Sequence, residues 1–297
     1  MAEQQSNLLP HAVAFVTVAI WGSTFISTKV LMQHGLSPAH IFTIRFAIAY
    51  ALMAVVSHKQ LFASSLRDEL TMLALGLAGG SAYFLTENYA LRYSTATNVS
   101  LIVCSCPLFT ALLFRLFTRG SRLSRRQWCG IVMAFIGMVT VVLNGHFVLN
   151  LSPIGDPLAL AACLSWALYS LLMRNVSLRY GSAFLTRKVF FYGLVTILPY
   201  YAFFPDGLHA SIMSDPTVVA NLLFLGCIAS MTCFFAWTWV IRRIGAVSAT
   251  NYVYLNPLAT VVFASWILGE QINMWFIAGA LFILSGLYIS NREKSKQ

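Results

Sequence analysis

Charge is what this chain has least of. Only 9% of its 297 residues are Asp, Glu, Lys or Arg, and just nine are acidic, while 59% are hydrophobic. A chain of that length cannot hide so much apolar surface in a soluble core, and the same composition excludes disorder. The marks of an enzyme are missing too. The six histidines (His11, His34, His40, His58, His146, His209) are scattered without metal-ligand spacing. There is no Gly-rich phosphate loop, nucleophile elbow or pair of intramembrane carboxylates. Six cysteines (104, 106, 129, 163, 227, 233) all fall inside apolar runs. Cys104-x-Cys106 has the wrong spacing for the usual zinc or redox motifs, so they read as small buried residues. No metal or cofactor is expected. The first ten residues hold no Lys or Arg, and no small-residue cleavage site follows, so the first apolar run should stay as a helix. No connection is long enough to hold a soluble domain.

What is present is a set of apolar runs of bilayer-crossing length and a mean hydropathy of +0.75. Ten such runs are expected, at about 11–32, 39–57, 70–91, 96–117, 128–143, 157–176, 184–204, 218–241, 246–268 and 274–290. Ser37-Pro38, Asp156-Pro157 and Asp215-Pro216 each read as a cap with proline in the first helical turn. The net charge of +10 resembles a nucleic-acid signal until it is mapped. With the N-terminus inside, sixteen of the nineteen Lys and Arg fall in the inner loops and tail, and only Arg92 falls outside. The charge is therefore a topology signal, with the bilayer as partner and no nucleic acid.

The chain also repeats itself. Pro107, Gly130 and Gly137 return as Pro257, Gly279 and Gly286, at offsets of 150, 149 and 149; Trp21–Lys29 returns in outline as Trp166–Arg174, at 145. Two copies of five helices follow, at 1–145 and 154–290, with a cytoplasmic tail at 291–297. Five being odd, the second copy must be inverted, an architecture of secondary transporters with sites near the midplane. The expected fold is an all-α membrane protein: ten transmembrane helices as two inverted five-helix repeats.

Trp21-Gly22-Ser23-Thr24-Phe25 with Lys29, Arg45-Phe46, Tyr89-Ala90-Leu91-Arg92-Tyr93, Pro257 with Gly269-Glu270, and the paired glycines resemble the EamA-type branch of the drug/metabolite transporter superfamily. The resemblance runs from about residue 11 to 290. One departure is Arg119-Gly120, standing where the second copy has Gly269-Glu270. The resemblance implies an inner-membrane 5+5 helix bundle, both termini cytoplasmic, that moves small metabolites, often amino acids, outward. Related members handle sugars, nucleotide sugars or amphiphilic cations, so the fold does not fix the substrate. A membrane enzyme would need a polar cluster at one face, and a scaffold or sensor would need no polar residues inside its bundle.

Three charges fall within helices of the first copy: Lys29, Arg45 and Glu87. Charges in a bilayer are costly and usually face the protein interior or a wet cavity. Either they lock three helices together, Lys29 reaching for the headgroups, or Glu87 neutralises one cation and leaves the other for a substrate carboxylate. Pro107 and Pro257, expected mid-helix, free the carbonyls of Val103 and Val253 beside Ser100, Asn251, Tyr252 and Asn256. They read as static kinks or as hinges of a substrate path. Trp21, Tyr83, Trp166, Tyr169 and Trp237 are candidates to shape that path or simply to pack. Together these residues form the expected site for a small-molecule substrate.

Overall fold

In a computed structural model of the chain, the described residues are 2–94, 96–118, 123–143, 152–205, 207, 210–259, 262 and 274–291, and every regular element among them is helical. Helices α1 (Ala2–Gln33) and α2 (Pro38–Val56) come first. A long rod follows, made of α3 (Leu66–Gly76), a π-helical stretch (Leu77–Ser81) and α4 (Ala82–Tyr93). Then come α5 (Ala96–Val103), α6 (Cys106–Phe117) and α7 (Arg125–Leu143). The second half has the same order: α8 (Gly155–Ser177), α9 (Ser182–Phe203), and a rod of α10 (Pro216–Leu223), a π-helical stretch (Phe224–Thr232) and α11 (Cys233–Ile244). The chain ends on α12 (Ala246–Thr250), a 3₁₀ stretch (Asn251–Leu255) and α13 (Met274–Asn291). Among the described residues, six stretches are long and apolar enough to cross a membrane: Leu8–Gln33, Pro38–Val56, Arg125–Leu143, Gly155–Ser177, Pro216–Ile244 and Met274–Asn291. Leu101–Phe117 is a shorter apolar stretch, spanning the end of α5 and α6.

Local chemistry sets the helix starts. Ser37 and Asp215 accept the backbone N–H groups of His40 and Thr217, with Pro38 and Pro216 in the first turn, as their sequences predict. Asp156 differs. It lies inside the first turn of α8 and accepts from the Ser152 N–H at 3.0 Å, while Ser152 Oγ accepts from Gly155 N at 2.9 Å. These reciprocal side-chain-to-backbone bonds tie down the turn that precedes α8.

Residues 96–117 do not form the continuous kinked helix that the apolar run predicts. The chain breaks between α5 and α6, where Ser105 turns both its N–H (3.1 Å) and its hydroxyl (2.5 Å) back onto the Ile102 carbonyl. Pro107 then falls in the first turn of α6, where its missing N–H costs no helical bond. In the second half the matching break is the 3₁₀ stretch, and Pro257 lies in the helical turn at 256–259. The expected helix to residue 268 and the Arg119-Gly120 and Gly269-Glu270 corners lie outside the described residues.

Among the contacts that bind the halves, two are built from residues that the repeat and the charge pattern mark. Helices α7 and α13 pack along their lengths, glycine to glycine. A Cβ at Gly130 would come within 2.6 Å of the Gly286 carbonyl oxygen, and one at Gly137 within 2.6 Å of that of Gly279. The earlier glycine of each helix meets the later one of the other, so the helices run antiparallel. Small residues allow this backbone approach.

The second contact fastens the α2–α3 connection onto α8 and α9. Arg179 makes a bidentate pair with Asp68, Nη2 to Oδ1 at 2.7 Å and Nη1 to Oδ2 at 2.9 Å. The Tyr180 hydroxyl donates to Asp68 Oδ2 (2.7 Å) and accepts the Ser64 N–H (2.9 Å). Lys188 and Tyr192 donate to Glu69 Oε1, and Arg187 donates to the carbonyls of Ser57, Gln60 and Leu61. Positions 187 and 188 are buried, and each finds acceptors in the other half of the chain.

A side chain at the glycine seam must force the two helices apart. Gly137→Val or Gly286→Val should lower Tm in detergent by several degrees, whereas Gly181→Ser should not, because a Cβ at Gly181 meets nothing within 4 Å.

The fastened connection makes a second prediction. The Tyr180 hydroxyl, then the Arg179 guanidinium, hold the Asp68 carboxyl below its ordinary 3.8. A depressed carboxylate stabilises the fold fully above its unfolded value and loses that contribution as pH falls towards the folded one. Asp68→Asn should therefore lower Tm at pH 7 and pH 5 alike, and the gap to wild type should close below about pH 4. Melting curves across that range check the sign.

Candidate functional site

The pattern that builds the site is a face of α1. Trp21, Thr24 and Phe25, at helical spacing, all line one cavity with about 490 Å³ of open space, counted out to its mouth. Opposite stand Tyr83, Phe84 and Glu87 of the first long rod, Trp166 of α8 and Phe234 of α11. Arg45 of α2 closes one side. Val103 and Val253, the residues whose carbonyls the prolines were expected to free, border the same space, with Cys106 and Asn256.

Its floor is aromatic and nearly symmetric between the halves. Trp21 and Trp166, the repeat counterparts, meet edge to face at 5.4 Å and 90°. Trp21 packs on Phe234 at 5.7 Å, and Trp166 on Tyr83 at 5.1 Å. Tyr83 and Phe234 are 151 residues apart, the same offset that separates Glu87 from Thr238. Edge-to-face packing gives such a cluster a fixed geometry.

The π-helical stretches hold this floor. A wider π turn leaves carbonyls poorly served by their own helix. The Ala229 carbonyl accepts the Trp21 indole N–H at 3.0 Å, and the Ala78 carbonyl, 151 residues earlier, accepts the Ser165 hydroxyl at 2.8 Å. Ser165 adjoins Trp166, so the two halves use neighbouring positions for one task. The Trp166 N–H itself is buried with no partner among the described residues.

The charged groups break the symmetry. Arg45 is 2% exposed; its Nε donates to Ser230 Oγ at 2.9 Å and its guanidinium lies 4.4 Å from the centre of the Phe84 ring. Glu87 is 8% exposed and accepts the Tyr83 hydroxyl at 2.6 Å. Both line the cavity, yet among the described residues no N···O contact within 4.0 Å joins them. Each ion is held by a neutral hydroxyl instead. Lys29 is exposed and does not join them.

Of the other residues expected at the site, Trp21, Tyr83, Trp166 and Asn256 are brought together here. Tyr169 and Trp237 are fully buried one ring behind, at 5.1 Å from Trp166 and 5.0 Å from Trp21. Asn251 donates to Ser290 Oγ at 2.8 Å, and the Tyr252 hydroxyl meets His11 Nδ1 at 2.6 Å, both away from the cavity lining. The Ser100 side chain lies outside the described residues. Sequence reasoning missed Thr24, Phe25, Phe84, Phe234 and Ser230. For Phe234 the signal existed, in its 151-residue offset from Tyr83. For Ser230 there was none, because its partner is 185 residues away. Among the described residues no group of three or more His, Cys, Asp or Glu could hold a metal ion.

An unpaired cation and anion in an aromatic cavity between two similar halves suit a small polar solute better than a chemical step, and known proteins point the same way. The chain is 28% identical to an uncharacterized transporter of Archaeoglobus fulgidus, over 97% of its own length and 99% of that protein. It is 25% identical to a probable amino-acid metabolite efflux pump of Escherichia coli, over 94% and 93%. It is 26% identical to a probable terminal-alkyne amino-acid exporter of Streptantibioticus cattleyicolor, over 94% and 92%. One crystal structure superposes with a TM-score of 0.75 at 16% identity, over 95% of this chain and 96% of that one, a likeness of fold. The EamA-like transporter family model matches residues 8–143 and again 153–292, one copy on each half of the bundle, and the chain belongs to that family.

Proposed function

We propose that the chain exports amino acids or closely related zwitterions by alternating access. The observation that carries this reading is the separation of Arg45 and Glu87 inside one aromatic cavity. A zwitterion answers both charges: its carboxylate meets the guanidinium, its ammonium meets the carboxylate, and an apolar side chain lies on Trp21, Trp166 or Phe234. Two relatives named for amino-acid export lend support. Arg45 takes the carboxylate alone in this reading, and Lys29 anchors α1 at the headgroups.

The proposed scaffold is ten transmembrane helices in two inverted repeats, 1–145 and 154–290, with both termini cytoplasmic and a short tail at 291–297. Antiparallel packing of α7 on α13 supports the inversion, since a two-fold axis across the bundle generates that contact from a single helix. The chain breaks before Pro107 and Pro257 serve as hinges, and the fastened α2–α3 connection seals the cytoplasmic end. Amphiphilic cations are the second reading, favoured by the aromatic walls and Glu87, but such a cargo meets Arg45 as a like charge.

The assay is flux in proteoliposomes with labelled leucine and phenylalanine, tetraphenylphosphonium and glucose. Saturable amino-acid flux is expected, with KM raised about tenfold or more by Arg45→Ala, as loss of a charge-assisted hydrogen bond requires. Carriage of the phosphonium or glucose without amino acids overturns the reading. For topology, single cysteines in a background freed of native cysteines are informative. One at Ser214 should react with an impermeant thiol reagent in intact cells and one at Lys59 should not. The reverse pattern refutes the orientation.

A further inference from the structure

We infer that Ser230 and Tyr83 are positioning residues that hold Arg45 and Glu87 apart, and that this restraint is what makes the cavity select a zwitterion. The inference rests on the amino-acid reading above. Opposite charges in a poorly solvated cavity attract strongly, and left alone they would close on each other. A closed pair would satisfy itself and offer a substrate neither charge. Here the closure is blocked at both ends. Ser230 Oγ takes the Arg45 Nε–H at 2.9 Å, and the Phe84 ring lies against the guanidinium at 4.4 Å, so the fork is fixed in orientation. The Tyr83 hydroxyl donates to Glu87 Oε1 at 2.6 Å along the same helix, one turn away.

The two holds come from different halves of the molecule. Tyr83 sits on α4 of the first half, while Ser230 lies in the π-helical stretch Phe224–Thr232 of the second. No other protein group accepts from the Arg45 guanidinium among the described residues, so its terminal nitrogens keep donors for a bidentate carboxylate. The serine is absent from the cavity lining, and its role is to act through the arginine.

Removing either hydroxyl should let the ions close. Ser230→Ala frees Nε and one torsion of Arg45; Tyr83→Phe removes a donor from Glu87, which then turns to the guanidinium. In proteoliposomes with labelled leucine, each variant should raise KM about tenfold while Vmax stays within about twofold. Tm should hold or rise, because a closed ion pair replaces the lost hydrogen bond. Ser230→Thr keeps the hydroxyl and should return KM to near the wild-type value. Two leucine analogues test selectivity. 4-Methylpentanoate lacks the ammonium and 3-methylbutylamine lacks the carboxylate. Both should inhibit the wild type more weakly than unlabelled leucine does, and that advantage should shrink in Ser230→Ala.

A merely structural role predicts a different split, with Vmax and Tm falling together and KM unmoved. That result, or an unchanged KM in both Ser230→Ala and Tyr83→Phe, overturns the inference while leaving amino-acid transport standing. Absence of saturable leucine flux in the wild type overturns the reading beneath it as well.

Discussion

A carbonyl released from its helix inside a bilayer has no water to turn to, and the centre of this molecule is shaped by that constraint. Four stretches depart from α-helical bonding there: two π-helical stretches, the break before Pro107 and the 3₁₀ stretch before Pro257. Each departure must be served by a neighbour. The indole of Trp21 serves Ala229, the hydroxyl of Ser165 serves Ala78, and Ser105 folds back on Ile102. These irregularities also put residues into the cavity. Val103 ends α5 and Val253 lies in the 3₁₀ stretch, and both border it. The cavity and the backbone bonds that tolerate it are therefore one feature.

Much of the scaffold was legible because the chain states it twice. The proline and glycine offsets revealed the repeat, and the capping residues placed two helix starts within a residue, but the pairing of α7 with α13 was not read from the sequence. The kinks were misread as continuous because an apolar run carries no mark of where a hydroxyl will turn back, as Ser105 does. The π-helical stretches were invisible for a related reason. The first contains Gly79-Gly80 while the second runs Phe224–Thr232 with a single glycine, so no shared residue type announces them.

The charges were legible in depth and not in direction. Lys29, Arg45 and Glu87 fall inside helices of the first copy by sequence position, which fixes height along a helix and nothing about its rotation. Trp21, Thr24 and Phe25 define the cavity face of α1, and Thr28 continues it at helical spacing as a buried residue. Lys29 follows Phe25 by one turn, at the edge of that face, yet it is exposed, so helical phase alone does not decide its direction. The hold of Ser230 on Arg45 could not be read from the sequence either, since nothing local distinguishes that serine from others in apolar runs.

The asymmetry of the site suits the zwitterion proposed as its cargo. An exactly two-fold bundle would repeat every charge on both sides of its axis, whereas a zwitterion carries one of each sign. The aromatic floor keeps the symmetry, Trp21 against Trp166 and Tyr83 against Phe234, because ring packing works equally well on both sides. The polar positions abandon it. Thr238 stands in the place of Glu87, and its hydroxyl is spent on the Phe234 carbonyl at 2.8 Å. Lys188, the counterpart of Arg45 by order in its helix, is tied to Glu69 outside the cavity. The second half thus spends its cations on Asp68 and Glu69 of the first, fastening one end of the bundle, while Arg45 and Glu87 line the cavity. Duplication supplied the frame, and divergence at a handful of side chains supplied a dipole within it.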